Sequence, residues 1–254
     1  MAQREIDPFE IGRRGLAIPF REFPIWLACA LWPFAMAALD EAIRRGAIAI
    51  PDWVTEPADW VTGAIFDWCW MTALCRSTTL QLLTFPAARS FWLFLVLQVG
   101  LSVFSWLFSG LLEILFFAAF AGDIPFTDIS GTGVQLLAIL LAVPTILLGI
   151  WVGLRLSIWP AHCAATGTLV GPRTIWRGMQ DHSFDMFIII VVTAVPALLF
   201  FGGLYFLAHD TLDTETLVTA LRTASTVIGT YTKGAFDAAM LIAYFEIFAV
   251  KAAR

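Results

Sequence analysis

Three ionisable residues stand where the chain is otherwise apolar, and they are the first candidates for chemistry. Lys233 and Asp237 are four apart in the segment 223–250, and Asp67 is alone in the segment 61–84. A charge on a helix in hydrocarbon is costly, and by default it marks an ion path, a proton relay or a buried pair. At i, i+4 spacing Lys233 and Asp237 share a helix face and can neutralise each other. That favours a structural pair over a transport site. Asp67 has no partner near it in sequence, since Arg76 lies about two and a half turns further along a helix. It can meet Lys233 or Arg155 from another helix, or face a wet cleft. Asp67 is therefore the best single candidate for a proton- or ion-coupled role, whereas Glu113 and Glu246 fall near predicted helix ends, where snorkelling suffices.

Histidine would bring ligand chemistry. His162 and His182 fall in one connecting segment and His209 at the far end of an apolar run. A haem held by two histidines needs them at matching depth on facing helices, and these three give no such pair. One axial ligand, His162 beside Trp159, would suffice for a pigment or haem; a capping or interfacial histidine is the plainer reading. Cys29, Cys69, Cys75 and Cys163 form no CxxC pair, and most lie in apolar sequence, where a thiol acts as a small hydrophobe. No GxSxG, HExxH, Walker or dinucleotide fingerprint occurs. The expectation is a non-enzymatic protein with no cofactor and no metal.

The elements that must position these residues follow from composition. Of 254 residues 59% are hydrophobic and 14% charged, with mean hydropathy +0.82. A soluble domain carries roughly a quarter charged residues, so lipid is the implied solvent. Only helices or closed barrels cross a bilayer, and the apolar blocks lack the alternation of barrel strands. The reading is an all-α polytopic bundle with spans near 23–39, 61–84, 90–112 (extendable to 122), 134–154, 186–208 and 223–250. Pro196 falls within the fifth. Five spans with a re-entrant second segment is the alternative. Residues 1–22 read as an N-terminal interfacial amphipathic segment, with Asp7 and Pro8 as cap and first turn. A solvated leader is the equal alternative there. Residues 23–254 form one transmembrane domain.

Basic residues test that count. With the N-terminus in the cytoplasm, eleven of the fifteen lysines and arginines fall inside: Arg4, Arg13, Arg14, Arg21, Arg76, Arg89, Arg155, Arg173, Arg177, Lys251 and Arg254. Arg44, Arg45, Arg222 and Lys233 fall outside or within a span. The bias places both termini in the cytoplasm and the protein in a bacterial inner membrane. Because topology spreads these charges, no patch for nucleic acid forms.

The stretch from Gly153 to Pro172 leaves the fourth span through an elbow. Arg155 marks its boundary, Trp159 anchors it and Pro160 breaks the helix. Arg173 and Arg177, flanking Trp176, would lie against anionic headgroups. Upstream, Gly149 and Gly153 form a GxxxG that permits close helix approach. The run "VPTILLGIWVGLRLSIWPAHCAATG" with "GPRTIWRGMQDHSFDMFIII" resembles the YciC-like family, the membrane domain of glycerophosphoryl diester phosphodiesterases. The resemblance is carried by Arg155-Leu156-Ser157, Pro160-Ala161, Gly167 and Trp176. Ile175, Asp181 and His182 depart from that pattern. It implies six helices with both termini inside and no catalysis of its own.

Together these readings predict a membrane protein that binds membrane lipids and other membrane subunits, as an accessory or assembly component. The elbow Arg155, Trp159, Pro160, Arg173, Trp176 and Arg177 is the candidate lipid or partner contact. The rival is a transporter or channel for a lipid or small solute, lined by Asp67, Lys233 and Asp237. A pigment- or haem-binding subunit comes third.

Overall fold

The computed structural model describes residues 6–76, 85–120, 131–208 and 214–248, and among these the fold is all-helical. In chain order the helices are α1 (Pro8–Arg21), α2 (Phe23–Arg44), α3 (Asp52–Arg76), α4 (Arg89–Phe120), α5 (Gly131–Leu156), α6 (Trp159–Thr166), α7 (Pro172–Gly178), α8 (Ser183–Ala208) and α9 (Thr214–Ile247). Four stretches, Phe23–Arg44, Arg89–Phe116, Ile139–Thr166 and Ser183–Phe206, are long and apolar enough to cross a membrane. His209, residues 121–130, and residues 77–84 and 249–250, onto which the second and sixth spans were expected to continue, lie outside the described residues.

Several helices outrun the apolar runs that predicted them. Outward from its apolar run, α2 is carried to Arg44 by ion pairs of Glu41 with Arg44 and Arg45, the latter at 2.6 Å. Such pairs at i, i+3 and i+4 support a helix without apolar burial. It stops at Gly46, whose φ of 72° is the left-handed conformation open to glycine. The proline-marked stretch 52–60, which falls between the first two expected spans, is the first part of α3. Pro57 gives up one backbone bond there, and no glycine interrupts the helix before Gly63. Pro144 and Pro196 are likewise held inside α5 and α8.

Helix α1 is docked onto the bundle, not a solvated leader. Asp7 caps it, its carboxylate accepting the N–H groups of Phe9 and Glu10 at 3.1 Å. Gly12 and Gly15 let it lie close against α8 and α9. A Cβ at Gly15 would stand 2.6 Å from Ala239 Cβ and 2.7 Å from the Ala235 carbonyl. The Tyr231 hydroxyl on α9 donates to the Leu16 carbonyl. The apolar residues of α1 divide accordingly: Ile11 packs inward, while Phe9 and Phe20 stay exposed.

Helix α3 is the axis of the bundle. Every residue from Ala64 to Ala73 is buried, because α2, α4, α6 and α9 pack around it. Three turns surrounded by protein need no lipid-facing apolar stripe, so α3 tolerates polar residues that a peripheral span would not. The packing is strongly one-ended. Among the described side chains, Phe91, Phe94 and Leu97 are the buried residues of α4, and Met186, Ile189 and Thr193 those of α8. On α9 the described buried residues all lie at or beyond Thr230. The end carrying α6 and α7 is thus closed, and toward the other end α4, α5, α8 and α9 splay and expose apolar side chains.

Candidate functional site

Asp67 lies on the buried axis at the level where the closed half gives way to the splayed half. Its Oδ1 is 2.9 Å from Lys233 Nζ on α9, and its Oδ2 accepts a 2.9 Å hydrogen bond from the Gln98 amide on α4. Leu97 is the last buried residue among the described side chains of α4, so Gln98 stands at the floor of the open half. Asp237, one turn beyond Lys233 on α9, is 4% exposed. Its Oδ2 has no hydrogen-bond donor. Lys233 therefore pairs across helices with Asp67, and the cluster gathers two carboxyls, one ammonium and one amide from α3, α4 and α9.

The local sequence makes room for this arrangement. Lys233 Nζ extends over Gly63, whose carbonyl is 3.5 Å away and where a Cβ would stand 3.2 Å from the ammonium. The Lys233 ammonium also sits 5.9 Å from the centre of the Phe66 ring. Next to Lys233, Gly234 receives two tryptophans. Trp70 Nε1 donates to the Gly234 carbonyl at 2.7 Å, and the Trp26 indole nitrogen lies 2.8 Å from where a Cβ would be. Trp26 Nε1 and Trp68 Nε1 are buried without acceptors. The side chain of Lys233 is 43% exposed, against 6% for Asp67. The ammonium is thus the open part of the cluster, and the carboxyls are buried behind it.

A second opening lies between α2 and α9 at the splayed end. It is a cleft of about 670 Å³ walled by Phe34, Asp40, Glu41, Arg44, Arg222 and Thr226 among others. A smaller cavity of about 230 Å³ separates α4 from α5. Gly149 lies there under the Phe108 ring, while nothing approaches Gly153. Only the first glycine of the GxxxG makes a close contact.

The elbow is built around Arg155. Its guanidinium lies 4.5 Å from the centre of the Trp151 ring and 5.0 Å from that of Trp176. The two indoles meet at 90°, 4.7 Å apart. Arg155 also donates to the Gln180 carbonyl at 3.1 Å and to Ser183 Oγ at 3.3 Å, so it ties α5 to α7 and α8. Pro160 sits in the first turn of α6, where a missing N–H costs no helical bond. Trp159 Nε1 closes the loop by donating to the Val170 carbonyl. Arg173 and Arg177 project outward from α7, exposed and away from that cage.

Both ring nitrogens of His162 are buried without partners, and the ring meets Tyr244 edge-on at 5.3 Å. Among the described residues no three His, Cys, Asp or Glu side chains gather as a metal site. No family model, curated protein or solved structure matches the chain.

The sequence reading did not assign Gln98, Gly234 or Trp70. Gln98 had a signal: it is the only amide or charged residue between Arg89 and Glu113, and buried amides in spans seek partners. Gly234 and Trp70 had none, because their roles depend on how α3 meets α9.

Proposed function

We propose that this chain is a six-span transporter of a small solute or ion, non-enzymatic, with both termini in the cytoplasm of a bacterial cell. Helices α3 and α9 would be the two spans beyond the four that are apolar enough on their own. The observation that carries the transport reading is the Asp67–Lys233 pair joining two helices beside a second buried carboxyl, at the floor of the splayed half. A pair holding one helix surface together would not require Asp237 beneath it, nor an ammonium open to the splayed side. Intramembrane charges in such positions mark substrate and ion pathways. The positive-inside bias puts the splayed end outside, so the pocket would open to the exterior. The likeness to the YciC-like family supports the same helix count and the absence of catalysis.

A second reading is the accessory or assembly subunit, which acts by binding membrane lipids and other membrane proteins. Large apolar side chains exposed on α4 and α5, among them Trp106, Leu140 and Leu147, supply surface for it. Native mass spectrometry of the protein extracted from its own membrane into lipid nanodiscs separates the two. A lone chain or small homo-oligomer supports transport. A mass that includes other polypeptides sinks it in favour of the subunit.

A further inference from the structure

We propose that Asp67 and Asp237 hold one proton between them and exchange it with the open end of the bundle past Lys233. The binding stands on the geometry of the cluster; the proton's passage across the membrane rests on the transport reading above.

Charge count comes first. Two carboxylates facing one ammonium leave a net negative charge, and both carboxyls are 4% exposed. An uncompensated buried carboxylate is among the costliest groups a protein can hold. Among the described residues Lys233 is the cation paired with Asp67, and it stands one turn from Asp237 on the same helix. From α4 the neighbour is the neutral Gln98 amide, from α3 the Phe66 ring and Gly63 carbonyl, and from α2 the neutral Trp26 indole beside Gly234. One proton brings the cluster to neutrality.

Geometry points the same way. An ionised carboxylate only accepts hydrogen bonds, so a buried carboxyl oxygen that no donor reaches is best satisfied by an O–H on its own carboxyl. Asp237 Oδ2, buried and without a donor, is the oxygen such a proton would satisfy. A metal cation is a poor substitute, because the groups completing the pocket are an ammonium and an amide N–H, not a ring of oxygens. Unloading breaks one carboxyl O–H bond and passes the proton to water at the open end. The carboxyl pair then gains one negative charge while Lys233 keeps its positive one. Loading reverses this.

The test is infrared spectroscopy of the protein in nanodiscs near neutral pH, paired with proton flux into proteoliposomes under an imposed potential. Wild type should show the C=O stretch of one protonated carboxyl. Asp237→Asn should remove it, because Asp67 then pairs with Lys233 in ionised form. Asp67→Asn should also remove it, because Asp237 can pair with Lys233 along α9. Asp59→Asn, an exposed acid on α3, should leave it intact and serves as the folding-neutral control. A wild type without the band, a band surviving in both pocket variants, or one abolished by sodium at constant pH overturns the proposal. A band without flux leaves the proton site standing and removes the transport reading; flux without a band does the reverse.

Discussion

At the scale of single residues the central asymmetry is that Lys233 serves two acids. Removing it by Lys233→Met leaves both carboxyls without a cation, a larger loss than removing either acid. Breaking a buried ion pair from one side costs about 3–5 kcal/mol, and the partial exposure of Lys233 discounts that to roughly 1–3 kcal/mol. The expected outcome is a lower melting temperature in detergent, partly restored by adding Asp237→Asn, with a double-mutant cycle measuring the coupling. Arg155→Lys tests the elbow. A lysine keeps the charge but not the flat guanidinium between two indoles, nor the fork of donors to Gln180 and Ser183. The expected loss is about 1–2 kcal/mol, read as a lower melting temperature. These residues were legible in different degrees. Asp67, Lys233 and Asp237 stood out because charge is rare in apolar sequence, and Arg155 because it ended a span. Their pairing was legible only as one option among several: Asp67 could meet Lys233, Arg155 or a wet cleft, i, i+4 spacing offered Lys233 a partner on its own helix, and the crossing of α3 with α9 makes the choice.

At the scale of elements, the apolar runs located helices but not their ends. Hydrophobicity marks where a helix would meet lipid, whereas α2 continues through charged residues held by ion pairs and α3 begins in a proline-containing stretch. The same limit explains α3 and α9. They are the more polar of the long helices, and α3 from Ala64 to Ala73 and α9 beyond Thr230 have protein as their neighbours, which no hydropathy pattern in one segment can report. The role of α1 depends on two glycines whose packing partners lie at the far end of the chain. Gly15→Ala should undock it, since the added Cβ meets Ala239 and the Ala235 backbone and backbone yields little. Overpacking of this kind costs about 1–3 kcal/mol, and faster proteolysis between α1 and α2 would report the undocking. Asp7→Ala removes the cap of the same helix and should cost about 1 kcal/mol, with no effect on the polar pocket.

For the whole molecule, the contrast between a closed and a splayed end makes a labelling prediction. The four cysteines are buried, so an introduced thiol can be read against a silent background. Under the proposed orientation, Val227→Cys at the α2–α9 cleft should react with a membrane-impermeant reagent from the outside. Arg173→Cys on α7 should react only from the cytoplasmic side. Reaction of both from one side would reject the six-span topology. Under the proposed six-span topology, the burial of α3 also bears on how the protein is made. On the scale that governs insertion, an aspartate at a helix centre costs about 2.5–3.5 kcal/mol, so α3 is a poor candidate to leave the translocon alone. Ribosomes complete α3 well before α9, and throughout that interval Asp67 has no ammonium to face. The nascent axis must be sheltered by α2, by α4 once it emerges, or by the insertion machinery itself. A chain stalled before α9 would carry an open acid in the bilayer, a mark by which membrane quality control could tell unfinished copies from finished ones.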